Sequence, residues 1–257
     1  MTGAREMDAT GSPWFWSAGR VARPRVRLFC FPYAGGNGIA YRPLFQRLPP
    51  DVDAIGVQLP GRGARFREPL MITISPLLED LYREITPLLD GTFAFFGHSM
   101  GAVLAFELCR MLRQRGGPAP ACLVFSGRRA PQHTRPSKPA RLMTQADLID
   151  RLRRHGGTPE DVLAEPELLG LILPPLRADL QVLDSWQPAA EPPLDVPLTA
   201  IGGKEDNEAP IAEVEGWREH TCGDFAMHVL PGGHFFFQGQ EEALARLIAR
   251  ALDKVLG

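Results

Sequence analysis

The chain has 257 residues, 44% hydrophobic and 23% charged, with 28 basic side chains against 30 acidic ones. That composition suits a core-forming globular protein, and a net charge of −2 excludes a nucleic-acid or anionic-membrane surface built on bulk charge. The start of the chain lacks an apolar signal-like core, no run of 18 apolar residues exists, and Cys30, Cys109, Cys122 and Cys222 show no CxxC spacing, so buried reduced thiols, no membrane span and a cytoplasmic location are expected.

Residues 1–24 lack periodicity and read as an N-terminal arm, whose Trp14-Phe15-Trp16 cluster is expected to pack on the domain edge. Val26–Phe31 reads as a buried strand ended by Pro32, and Ala54–Leu59 as a second, ended by Pro60-Gly61. A helix is predicted from Ser75 as N-cap with Pro76 at its first position, with Leu77, Leu81, Ile85, Leu88 and Leu89 on one face. Phe93–Phe96 gives the third strand, Ala102–Arg115 a helix closed by Gly116-Gly117, and Ala121–Phe125 the fourth strand. Val196–Ile201 and Ala226–Leu230 supply the fifth and sixth strands, and Glu241–Val255 the last amphipathic helix. Short apolar strands alternating with helices predict an α/β fold, a mostly parallel central sheet with helices on both faces.

Residues 131–193 break the alternation. Helical start signals at Thr144 with Asp147, and at Thr158-Pro159-Glu160-Asp161, precede an apolar piece, Leu168–Leu173, expected to stop at Pro174-Pro175. A further piece is expected over Leu176–Trp186. The predicted organisation is therefore an arm (1–24), a core (25–130 and 194–257) and an inserted helical lid (131–193).

Gly97-His98-Ser99-Met100-Gly101 lies between the third strand and the helix after it, the context of a nucleophile elbow. The turn needs glycines on both sides, and it presents the serine hydroxyl at a helix start that favours negative charge. A serine needs a base and an orienting acid, and both must come from loops at the carboxyl ends of strands. Of six histidines, His234 in Pro231-Gly232-Gly233-His234-Phe235 is placed that way. His98 is turned aside by the elbow, His133 and His155 fall in the insert far from any strand end, His220 lies in a polar stretch, and His228 lies inside a strand. For the acid, Asp206 and Glu205 compete after the preceding strand, with Glu208 close behind; Asp206 is favoured as the shorter side chain. The order Ser99, Asp206, His234 is that of the α/β-hydrolase fold. Two N–H donors are expected to hold an oxyanion. They are Met100, and Ala34 in Pro32-Tyr33-Ala34-Gly35-Gly36, with Tyr33 or Gly35 as neighbouring candidates.

Leu28-Phe29-Cys30-Phe31-Pro32-Tyr33-Ala34-Gly35-Gly36, Gln58-Leu59-Pro60-Gly61-Arg62, Phe96-Gly97-His98-Ser99-Met100-Gly101-Ala102 and Pro231-Gly232-Gly233-His234-Phe235-Phe236 together resemble the type II thioesterases, stand-alone enzymes of polyketide and nonribosomal peptide assembly lines. The resemblance runs from about Arg25 to the C-terminus. It implies an α/β-hydrolase core with a helical lid and hydrolysis of stalled or aberrant acyl groups from the phosphopantetheine arm of acyl carrier proteins. It also implies a triad of Ser99, Asp206 and His234, with Met100 and Ala34 as oxyanion donors. No cofactor, metal, nucleic-acid or membrane partner is implied. A carboxylesterase or lipase, an acyltransferase using the same triad, and a noncatalytic binding protein on the same fold are the competing expectations.

Overall fold

A computed structural model describes residues 11–19, 21–135 and 138–257. Of the expected N-terminal arm, residues 1–10 and Arg20 therefore lie outside the described residues. Among the described residues, seven strands form one sheet in the order β1-β3-β2-β4-β5-β6-β7. They are β1 (Phe15–Ser17), β2 (Val26–Phe31), β3 (Val52–Val57), β4 (Phe93–His98), β5 (Leu123–Ser126), β6 (Leu198–Gly203) and β7 (Phe225–Leu230). Only β1 is antiparallel, pairing Phe15 with Val57 at the edge; β2 to β7 run parallel.

The strand pleat divides the core. In β2, Phe29 and Phe31 face one cluster while Leu28 and Cys30 face the other; β4 repeats this with Phe93 and Phe95 against Ala94 and Phe96. Helices α2 (Ile74–Ile85) and α3 (Met100–Gln114) cover the first face, and the short α1 (Arg42–Phe45) with α8 (Glu241–Leu256) covers the second. Both faces of each inner strand are thus buried, which is why these strands read as apolar runs without alternation.

Between β5 and β6 the chain leaves the sheet and forms α4 (Gln145–His155), α5 (Glu160–Ala164) and α6 (Pro166–Asp184), packed around a separate cluster of Ala140, Leu148, Leu163, Leu169, Leu173, Leu176 and Leu180. Thr144 and Asp147 form the expected capping box at the start of α4. Later in the chain, α7 (Ile211–Glu215) lies between β6 and β7.

Several expectations need correction. The stop at Pro174-Pro175 does not occur, because α6 runs through both prolines. Each proline removes one intrahelical donor, but buried Leu169 and Leu173 hold the turns before them and Leu176, Ala178 and Leu180 the turns after, so packing overrides the local break. Helix α2 begins at Ile74, with Ser75 inside it. The Ile74 N–H donates to the Ser185 hydroxyl at the end of α6 (2.9 Å), a cap supplied from 111 residues away. Trp14 and Phe15 pack into the sheet edge as expected, with Trp16 stacked on Phe45. Cys30, Cys109 and Cys122 are buried, but Cys222 is exposed; all four are free thiols. Burial pushes the thiols of Cys109 and Cys122 up to about 12. No described helix is long and apolar enough to cross a membrane.

Candidate active site

Parallel strands bring their carboxyl ends to one edge, and the chemically interesting side chains collect there. Ser99 follows β4 directly and has φ 54° and ψ −112°, the one positive φ of a non-glycine residue among those described. That strained conformation is sustained by close backbone packing around it. A Cβ on Gly97 would overlap the Gly101 carbonyl, and one on Gly101 would overlap the Phe31 carbonyl of β2. The Ser99 N–H is held by the Ser126 carbonyl of β5 at 2.8 Å. Helix α3 starts at Met100, so the first N–H groups of that helix have no intrahelical acceptor and lie beside the hydroxyl.

The loop after β7 brings His234 to this point: Nε2 lies 3.0 Å from Ser99 Oγ, and Nδ1 lies 2.9 Å from Asp206 Oδ2. His234 and Asp206 are 5% and 4% exposed, so water competes little for either hydrogen bond. The other Asp206 oxygen, Oδ1, accepts from the N–H groups of Glu208 (2.8 Å) and Ala209 (3.1 Å). Burial acts to raise the Asp206 pKa. The hydrogen bond from His234, its charge and the two backbone N–H groups outweigh that burial and leave the carboxyl below its ordinary value. A carboxylate only accepts, so His234 Nδ1 carries the proton and Nε2 is free to accept from the Ser99 hydroxyl. The loops after β6 and β7 are fastened together by Lys204 N–H to the Leu230 carbonyl (2.8 Å) and Glu205 N–H to the Gly232 carbonyl (3.0 Å).

Glu205 is turned elsewhere, its Oε2 accepting from the Gly232 N–H. Glu208 is engaged by Arg151 at 2.9 Å and lies 3.6 Å from His155 Nε2. In the loop after β2, the Gly35 N–H donates to Asp179 Oδ2 (2.7 Å) and the Gly36 N–H to the Tyr33 carbonyl (2.8 Å). Gly35 is therefore removed from the oxyanion candidates, and the Tyr33 and Ala34 N–H groups both have no acceptor among the described residues.

His155 requires a correction. It lies in the insert, yet α4 folds back over the strand ends and sets its ring 4.7 Å from that of His234. Burial lowers its pKa, against the raising influence of Glu208. Arg151 and His155 are four residues apart on one helix face, which lets both reach Glu208. That spacing was the available signal, but nothing local in the sequence identifies the acid across the gap. His98 does turn away from the hydroxyl, with Nδ1 3.0 Å from Ser126 Oγ, while its ring lies 5.2 Å from that of His234. His133 lies in a single turn, Pro131–His133, His220 bonds Gln132, and His228 lies within β7.

A family model described as "Thioesterase domain" matches residues 26–252. Linear gramicidin dehydrogenase LgrE of Brevibacillus parabrevis is 40% identical over 248 residues, covering 95% of this chain and 94% of its own length. RedJ, a thioesterase from the prodiginine biosynthetic pathway in Streptomyces coelicolor, superposes with a TM-score of 0.85 at 35% identity, over 96% of this chain and 100% of RedJ. BorB, a type II thioesterase from the borrelidin biosynthetic cluster, gives a TM-score of 0.85 at 33% identity, over 93% of this chain and 97% of BorB. The name of LgrE speaks of a dehydrogenase, whereas the family model and both structures speak of thioesterases.

Proposed function

The chain belongs to the thioesterase family, and from that membership we propose that it is a serine-dependent type II thioesterase that clears acyl groups from the phosphopantetheine arm of acyl carrier proteins. The names of RedJ and BorB, which tie those proteins to biosynthetic pathways, support the substrate class. One observation carries the mechanism: the unbroken line from Asp206 through His234 to Ser99, at 2.9 and 3.0 Å.

In this reading Ser99 is the nucleophile, His234 the base and Asp206 the acid that orients it. His234 Nε2 takes the proton as Ser99 Oγ attacks the thioester carbonyl. The N–H groups of Met100 and Ala34 hold the oxyanion. Collapse breaks the carbon–sulfur bond, and the thiolate leaves with the proton from His234. Water then gives a proton to His234 and attacks the acyl-serine carbonyl; the acid is released, and Ser99 recovers its proton. Residues 25–130 and 194–257 form the catalytic core. Residues 131–193 act as a lid, a role supported by the contact of His155 with His234 and of α6 with the Gly35 loop.

A panel of acyl-carrier thioesters, acyl-pantetheine thioesters and p-nitrophenyl esters, compared by kcat/KM, tests the reading together with fluorophosphonate labelling. Expected are label on Ser99, preference for the thioesters, and a loss on the order of 10⁴–10⁶-fold in Ser99→Ala. Preference for oxygen esters would make it an esterase, acyl transfer to an added alcohol or amine a transferase, and absence of label a binding protein.

A further inference from the structure

Arg62 closes the Gln58-Leu59-Pro60-Gly61-Arg62 turn, and the reaction above leaves it without a part. Its guanidinium and the Asp179 carboxylate of α6 are 7% and 2% exposed and form a two-pronged ion pair, Arg62 Nη1 to Oδ2 and Nη2 to Oδ1, the latter at 2.7 Å. Buried ion pairs contribute little net stability, and apolar pairs of similar volume often replace them without loss. The geometry supplies a different reason for this one. Asp179 Oδ2 also accepts from the Gly35 N–H, and Arg62 Nη1 also donates to the Gly36 carbonyl at 3.2 Å. Gly35 sits at φ +78°, and a Cβ there would meet Leu176, one turn before Asp179 on α6, at 3.4 Å. With the Tyr33 carbonyl taken by the Gly36 N–H at 2.8 Å, the planar trans peptide between Tyr33 and Ala34 is fixed, and the Ala34 N–H must point the opposite way.

We propose that Arg62 and Asp179 are positioning residues that clamp the Tyr33–Gly36 loop onto α6, so that the second oxyanion donor is aimed only while that helix is seated. The proposal rests on Ala34 being that donor, as in the function proposed above. It makes the apparent lid a part of the catalytic assembly as well as a cover.

The test compares wild type with the single variants Arg62→Met and Asp179→Leu and with the double variant carrying both changes. Each is followed by Tm, by kcat and KM on an acyl-pantetheine thioester, and by inhibition with an acyl trifluoromethyl ketone, whose Ser99 adduct places an oxyanion in the same hole. Each single change strands a buried charge and lowers Tm. The double variant is expected to recover Tm but not activity. Its kcat stays down by about 10²-fold, the scale of one lost or misplaced donor, with KM nearly unchanged and the ketone weakened by a similar factor. A double variant with wild-type kcat and ketone affinity overturns the proposal and leaves the pair a packing feature. Should the double variant not fold, Asp179→Ala is assayed below its own Tm: it leaves the Gly35 N–H and the Arg62 guanidinium without their acceptor, so kcat falls while KM holds, and wild-type kcat overturns the proposal equally. Failure of the wild type itself to cleave the thioester in this assay strikes the triad reading instead.

Discussion

Asp206 and Glu205 are adjacent, yet the turn after β6 sends their carboxylates to different work. Asp206 is buried against His234 Nδ1, whereas Glu205 is exposed and holds the Gly232 N–H. Glu205 is therefore not expected to stand in for its neighbour. Asp206→Asn is expected to cut kcat by about 10⁴-fold, because the amide no longer holds the imidazole in the tautomer that accepts from Ser99. Glu205→Gln, which keeps an oxygen for Gly232, is expected to act on stability by about 1 kcal/mol or less, with kcat near wild type. Steady-state kinetics of the two variants decide it; a large kcat loss in Glu205→Gln would reverse the assignment. That Ser99 and His234 would stand at the carboxyl ends of strands was legible because flanking glycines and strand-ending residues mark both positions in the sequence itself. The pairings of His155 with Glu208 and of Arg62 with Asp179 were not, since no turn or strand-end signal marks one partner for the other across 53 and 117 positions, and only folding reveals them.

Helix α4 shows what sequence signals settle at the level of one element. Thr144 accepts from the Asp147 N–H at 3.2 Å, and the Asp147 carboxylate accepts from the Thr144 N–H, reciprocal bonds written into a three-residue spacing. The Asp147 carboxyl is lowered to about 2, first by its hydrogen bond from Lys138 and then by those from Thr144. Thr144→Ala should destabilise the protein by about 1 kcal/mol, read as a lower urea midpoint at unchanged m-value, and Thr144→Ser should restore most of it. An unchanged midpoint would mean that the start of α4 is held by its tertiary contacts alone. Helix α6 shows the opposite case. Its two interior prolines, Pro174 and Pro175, gave a correct local signal and a wrong conclusion, because Arg177 donating to the carbonyls of Ala140 (2.8 Å) and Met143, and Asp184 accepting from the Ala140 N–H (2.6 Å), hold the helix from outside. Likewise α2 takes its N-terminal cap from Ser185, which no window of its own sequence contains.

At the scale of the whole molecule, the parallel sheet was legible because burial on both faces forces apolar runs, and helix periodicity separates them. Which side chains of the inserted lid would come to the strand ends was not, since its helices show which faces are apolar but not which residues they oppose. The consequence of that landing is a set of imidazoles enclosed at one edge of the sheet. His98 is fully buried, and burial pushes its pKa well below the ordinary histidine value, with His234 and His155 adding to the shift; His155 is lowered in the same direction, again first by burial. Both therefore remain neutral in the folded protein at pH values where the unfolded chain already binds protons. Stability from this source is fully present above about pH 6.5, the unfolded histidine value, and is lost as pH falls from there toward the depressed folded values. Asp206 and Glu208, both held low in the folded state, extend the loss in a separate window below about pH 4. The Tm should accordingly fall between pH 7 and pH 5.5. A His98→Asn variant, less stable throughout, should show a shallower slope, by up to about 1.4 kcal/mol per pH unit for the one proton removed. Parallel Tm–pH curves for the variant and the wild type would mean that His98 does not supply the linkage, and that its enclosure between Ser126 of β5 and the His234 loop carries no cost on protonation.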